Sequence, residues 1–155
     1  MAVTVKRITL WRADVDNQPG VLARALEPLA QAGADLRLVM GYRLPHTPER
    51  AAIELYPVSG KRATAAAAQA GLAESRDIPC LLVEGDNRPG LGATMARALA
   101  DAGINIAFLV AQVLGRKFTA TFGFADEATA ATAMRLIKAS AAPPKPAKPA
   151  RRKRR

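Results

Sequence analysis

Hydrophobic positions change period along this chain in a regular way. Val3, Val5, Ile8 and Leu10 lie among Thr, Lys and Arg, the pattern of a half-buried strand with an irregular phase. After Asp16-Asn17-Gln18-Pro19-Gly20, the residues Leu22, Leu26 and Leu29 follow at spacings of four and three, which predicts an amphipathic helix. Pro19 suits the first helical position, where its missing N–H costs nothing, and Gly33 supplies a left-handed stop. Leu36, Leu38, Met40 and Tyr42 then alternate with Arg37, Val39, Gly41 and Arg43, as in a strand. A loop with Pro45, His46 and Pro48 leads to a third strand over Ala51 to Tyr56. The alanine-rich stretch Lys61 to Ala70 predicts a second helix, ended by Gly71. The order is β-α-β-β-α.

The pattern then recurs. Asp86-Asn87-Arg88-Pro89-Gly90 repeats the first turn seventy positions on, and at the same offset Leu29 meets Leu99, Ala32 meets Ala102 and Gly33 meets Gly103. Ile106, Phe108 and Val110 share one strand face, while Phe118, Ala120, Phe122 and Phe124 share another. Gly115-Arg116 marks the hairpin between these strands. Asp126 is placed to cap a last helix whose Ala130, Met134 and Ile137 again follow at four and three. The sequence is therefore a duplication, divided as residues 1–75, 76–142 and a tail at 143–155.

Leu72 to Gly85 must close the first repeat and open the second, and fourteen residues are few for two strands. Pro79 divides the segment, one long strand serves both halves, or the repeats exchange strands. Ala139 to Ala142 make a poor strand, so the closing strand of the second repeat is either missing or exchanged.

Composition narrows the function. Half of the residues are apolar and only 5% aromatic, so the cores are aliphatic. The tail residues Lys145, Lys148, Arg151, Arg152, Lys153, Arg154 and Arg155 carry seven of the net +10 charges, leaving about +3 for residues 1–142. This Pro-rich basic tail is expected to be disordered and to contact nucleic acid weakly and without sequence preference. No apolar run approaches the roughly 20 residues of a membrane span, and the single cysteine, Cys80, cannot form an internal disulfide. The expected setting is cytoplasmic and away from the membrane. Cys80 opens an apolar run and reads as a small buried hydrophobe, while Trp11 reads as packing. His46 has no Cys/His cluster around it, and no Walker loop or nucleophile constellation is present. The expectation is a protein without catalysis, metal or cofactor.

A β-α-β-β-α-β unit whose first strand runs into Asp-Asn-x-Pro-Gly, and whose helix ends in Gly-x-Asp/Asn-aliphatic, resembles the ACT domain. Both copies match, the second marker being Gly33-Ala34-Asp35-Leu36 in the first copy and Gly103-Ile104-Asn105-Ile106 in the second. The resemblance covers roughly residues 3–139. It implies an α+β fold of two ferredoxin-like repeats, with antiparallel sheets, helices on one face and edge-to-edge pairing into eight strands. That pairing would be intramolecular or between two copies in a homodimer. It also implies a regulatory module that senses an amino acid or similar small anion.

The chemistry of the turns agrees. A helix N-terminus offers unpaired N–H groups and a positive dipole end to a carboxylate. Candidate ligand residues are therefore Asp16, Asn17, Gln18, Pro19, Gly20 and Val21 in the first copy, and Asp86, Asn87, Arg88, Pro89, Gly90 and Leu91 in the second. Gly20 and Gly90 let a ligand approach the backbone, the Asp and Asn side chains can accept from an ammonium group, and Arg88 makes the second turn the more attractive to an anion. Asp35 and Asn105 open the second strands, where the family often places a polar ligand contact. The same residue types also build turns and cap helices without any ligand. Gly92, standing where the first copy has Leu22, removes a side chain from the second helix. A nucleic-acid-associated protein acting through its tail, and an accessory subunit of an amino-acid biosynthetic enzyme, are the competing readings.

Overall fold

The computed structural model describes residues 3–143. Its elements are β1 (Thr4–Asp16), α1 (Val21–Gln31), β2 (Leu38–Leu44), β3 (Thr47–Tyr56), α2 (Lys61–Gln69), β4 (Ala73–Asp86), α3 (Leu91–Asp101), β5 (Phe108–Leu114), β6 (Lys117–Gly123) and α4 (Glu127–Ser140). Six antiparallel strands form one sheet in the order β2-β3-β1-β4-β6-β5. That order reads alike from either edge: a hairpin, then a long strand.

The long strands replace the eight short ones expected. β1 and β4 have 13 and 14 residues, about twice the usual strand. The first part of β1 pairs with the last part of β4, Thr4 opposite Glu84 through Ile8 opposite Cys80. Beyond Ile8 the register jumps, so that Leu10, Trp11 and Arg12 face Ser75, Glu74 and Ala73. Pro79 explains the jump, because it has no N–H for the ladder. It stands in the slack between Ser75 and Cys80, and its carbonyl accepts from the N–H of Phe124 instead. Each half thus takes a strand segment from the other. Residues 4–8 lie where the second half lacked a closing strand, and β4 runs unbroken across positions 75 and 76.

All four helices cover one face, that of the odd residues of β1. Trp11, Ala13 and Val15 pack on the first helical pair in a core with Leu29, Ile53, Leu55 and Leu72. Val5 lies under the second pair with Leu81, Val83, Met95, Leu99, Phe122, Phe124 and Ile137. The opposite face is also filled, by Ile8, Leu10, Cys80 and Leu82, with Leu38, Met40, Tyr56, Ile78 and Phe108 packed on them. Leu38 belongs to one sheet edge and Phe108 to the other, so the sheet curls until its two halves face each other. An ion pair between Arg37, just before β2, and Glu84 on β4 requires the same curl, since strands three places apart in a flat sheet are about 14 Å apart.

Two boundaries differ from expectation. Leu36 and Ile106 do not open strands; β2 and β5 begin at Leu38 and Phe108, and the two earlier residues pack beneath the helices. Pro19 is not in the helix, because Gly20 holds φ 86° as the residue before it and α1 starts at Val21. Cys80 is buried as expected, and burial pushes its thiol up to about 12, leaving it protonated and unreactive.

Candidate functional site

The duplicated turns have the same backbone plan. In the first, the N–H of Asn17 donates to the Glu49 carbonyl at 2.8 Å, its side-chain amide donates to the Pro48 carbonyl at 3.0 Å, and the N–H of Gln18 donates to the Asp16 carbonyl at 2.9 Å. In the second, the N–H of Asn87 donates to the Arg116 carbonyl at 2.8 Å. Gly20 and Gly90 then turn the chain with φ of 86° and 79°, in the left-handed region that favours glycine. Neither helix receives a side-chain cap, and neither has an acidic residue in its first turn. At α4 the arrangement differs, because the Asp126 side chain accepts from the N–H of Thr129 at 2.7 Å. α1 and α3 therefore present their positive ends without an anion, as does α2 behind Gly60.

Asp16 and Asp86 are engaged by the adjoining hairpins. Arg50 opposes Asp16 in register and donates to it at 2.5 Å, while Lys117 opposes Asp86 and donates at 2.5 Å. The hydrogen bond from Lys117 holds the Asp86 carboxyl below the usual carboxylate range. Each aspartate thereby fastens the end of a long strand to the hairpin beside it.

Around the first turn lies a concavity of about 710 Å³ whose charged lining is mixed, with Asp14, Asp16 and Glu27 beside Arg24 and Arg50. Arg24 adds a cation beside the start of α1, whereas the charge of Arg50 is already met by Asp16; neither was singled out in the sequence. Their signal was faint: Arg24 lies one turn after Gly20, and Arg50 is Asp16's partner only once the hairpin register is known. The second turn is poorer in charge. Arg88, expected to attract an anion there, donates to the carbonyls of Ala141 at 3.1 Å and Ala142 at 3.4 Å. It caps the end of α4, whose carbonyls lack helical partners. The concavity beside α3 is about 250 Å³ and mainly apolar, with Leu91, Gly92, Met95, Leu109, Val113 and Phe118 in its wall. Absence of a side chain at Gly92 helps to keep it open.

Asp35 and Asn105 do not join the turn of their own half. They are exposed beyond the far ends of α1 and α3, and helices of 11 residues put about 16 Å between their ends. Pro19 and Pro89 precede the glycines, while Val21 and Leu91 follow them and line the first and second concavity respectively. The tail cations Lys145, Lys148, Arg151, Arg152, Lys153, Arg154 and Arg155 lie outside the described residues.

One polar cluster on the face without helices has no counterpart in the other half. Glu54, 3% exposed, accepts from the Tyr42 hydroxyl at 3.0 Å and from Arg12 at 3.4 Å, and Arg12 also pairs with Asp14. Burial and the Glu54 carboxylate both push the Tyr42 hydroxyl up from its ordinary value. These partners compensate the buried charge. Among the described residues no group of three or more His, Cys, Asp and Glu could hold a metal ion, and no helix is long and apolar enough to cross a membrane.

No protein-family model matches the chain, and no curated protein matches it. Solved structures do. Protein BT0572 from Bacteroides thetaiotaomicron is similar with a TM-score of 0.71 at 13% identity, over 87% of this chain and 89% of that one. The ligand-free regulatory subunit of aspartate kinase from Thermus thermophilus gives 0.60 at 17%, and the subunit from Thermus flavus 0.56 at 19%, each over 90% of this chain and 97% of the other. At these identities the likeness is one of fold: an α+β, ACT-like arrangement with an antiparallel curled sheet.

Proposed function

We propose that this chain is a non-catalytic sensor made of two interlocked ACT-type repeats, which binds an amino acid or similar small carboxylate at the start of α1 and, more weakly, of α3. The observation that carries the reading is the contrast in capping: α4 brings its own carboxylate in Asp126, whereas α1 and α3 start bare behind a left-handed glycine. A ligand carboxylate there accepts from the first-turn N–H groups, and an ammonium group finds Asp16 or the turn carbonyls within reach. Arg24, which has no ion pair among the described residues, makes the first site the stronger, reversing the order that Arg88 suggested. The names of the neighbours from Thermus, regulatory subunits of aspartate kinase, favour control of self-association or of a partner enzyme over the tail-mediated nucleic-acid reading.

A thermal-shift screen of the twenty amino acids and simple carboxylates tests the proposal. A ligand at 100 times its dissociation constant that binds only the folded state adds about 2.7 kcal/mol. The expected hit loses affinity in Arg24→Gln and keeps it in Arg97→Gln, a substitution on the exposed side of α3. No shift with any compound, or equal affinity in both variants, overturns the assignment.

A further inference from the structure

The curl that brings the two halves face to face leaves a space between them, on the side of the sheet without helices. It is a cavity of about 90 Å³, walled by Arg37 and Leu38 from the first half and by Leu82, Val110 and Thr121 from the second. Glu84, Gln112 and Thr119 line both this cavity and a wider recess of about 420 Å³ beside it. The cavity therefore has an entrance.

The buried polar side chains of this face are treated differently. Glu54 is answered by Tyr42 and Arg12. Thr121 is equally deep, 3% exposed, yet its hydroxyl has no hydrogen-bond partner among the described residues. No fully enclosed side-chain oxygen or nitrogen among them lacks a partner, so the Thr121 oxygen keeps its remaining surface on the cavity that it lines. A buried hydroxyl left in this way costs free energy, which a bound polar group recovers.

Charge and size select the class of molecule. Arg37 pairs with Glu84, and Lys6 stands 3.9 Å from the same carboxylate, so two cations meet one anion. Arg37 gives Glu84 a single hydrogen bond and has further donors in its guanidinium. The Gln112 amide and the hydroxyls of Thr119 and Thr121 add donors, while Leu38, Leu82 and Val110 supply apolar wall. An apolar cavity of roughly 150 Å³ takes the six carbons of benzene. A space of about 90 Å³ therefore suits about four heavy atoms.

We propose that this cavity is a binding site for a small carboxylate of the size of acetate or glycine, whose oxygens accept from Thr121 and Arg37 and whose carbon lies against Leu82 and Val110. A zwitterion would in addition give its ammonium group to Glu84. The ligand touches both halves and so holds the curl closed. The claim stands whether or not the helix starts bind a ligand, because the helices cover the other face of the sheet.

The test is an amide-resolved titration of the ¹⁵N-labelled full chain with sodium acetate and, separately, with glycine, against sodium chloride at the same ionic strength. Saturable shifts are expected at Leu82, Val110, Thr119 and Thr121 with at least one of the two probes; tighter binding of glycine assigns its ammonium group to Glu84, and tighter binding of acetate leaves Glu84 to Arg37. Thr121→Val removes the hydroxyl and keeps the shape, and is expected to raise the dissociation constant about tenfold or more. Thr121→Ser, which restores the hydroxyl, should bind nearly as wild type does, and Arg24→Gln, at the start of α1, should leave these shifts unchanged. Circular dichroism confirms that each variant folds. No saturable shift at these amides with either probe, or one dissociation constant shared by wild type and Thr121→Val, overturns the proposal.

Discussion

The two halves of the molecule share a backbone and differ in almost every way of filling it. The left-handed glycines before α1 and α3, the aspartates that end the long strands and the cations opposite them recur at matched positions. Side chains do not. Where the first half sets Leu38 against Tyr56, the second sets Phe108 against Gly123. Buried Glu54 faces Arg12 in the first half; at the matching place in the second, buried Thr121 faces Leu82. Gln18 lines an open groove, whereas Arg88 holds the end of α4. The lesson is that the geometry of turns and strand register is demanded by the fold, while each half solves its packing and charge separately. Only one can therefore be the better site for a given ligand.

The largest effect should come from breaking the interlock. A variant that starts at Leu10 loses the burial of Val5 and Ile8, about 3–6 kcal/mol from those two side chains alone, a large share of a small domain's stability. Because β1 is continuous, Trp11 fluorescence, which reports the first half, should fall with far-UV circular dichroism at the same urea concentration. A first half that keeps its wild-type midpoint would mean that the halves are independent.

Next comes the swapped aromatic pair. A Cβ on Gly123 would meet Phe108 Cε1 at 2.3 Å and Ile78 Cγ2 at 2.8 Å, so Gly123→Ala should cost about 1–3 kcal/mol by overpacking. Adding Phe108→Leu, which recreates the small partner used in the first half, should recover at least half of the loss in chemical denaturation. Without recovery, the comparison of the two pairs fails.

Gly20→Val and Gly90→Val sharpen the comparison of the turns. At these two positions φ is 86° and 79°, and an L residue pays roughly 1–2 kcal/mol in that region, more when β-branched. Both variants should melt lower by similar amounts, which makes them poor probes of binding. Asparagine at either position should cost less.

The smallest effect concerns the one capped helix of the three compared. Asp126→Ala should lower Tm by about 3 °C. The N–H of Thr129 holds the Asp126 carboxyl below the usual carboxylate range, so its contribution is complete above the unfolded-state value and is lost as pH falls through the lower, folded one. Stability of the variant should therefore depend less on pH in that acid window. Matching acid profiles for the two proteins would remove the cap from the account.

Much of this was legible in the residues. The repeated Asp-Asn-x-Pro-Gly turn, the glycine stops and the two periodicities locate the elements because each reflects a local rule of backbone or burial. What stayed hidden was non-local. The sequence left open whether Leu72 to Gly85 is divided, forms one long strand or is exchanged, and the choice follows from pairing of β1 with β4 across about seventy positions, which one strand's pattern cannot reveal. Arg88 was misread for the same reason: its carbonyl partners on Ala141 and Ala142 are more than fifty residues away. Arg50 lay unnoticed until the hairpin register set it opposite Asp16. Glu54 looked like an ordinary strand position, since nothing near it in sequence announces burial beside Arg12 and Tyr42.

The most direct test of the central claim is a titration of ¹⁵N-labelled full-length protein with the best amino acid or carboxylate from the thermal screen, followed amide by amide. Saturable shifts are expected, centred on Gly20, Val21, Leu22 and Ala23, with weaker or later shifts at Gly90 to Ala93, because those N–H groups are the proposed donors to the ligand carboxylate. Shifts confined to the helix-free face around Tyr42 and Glu54, with the starts of α1 and α3 unmoved at saturation, would contradict it.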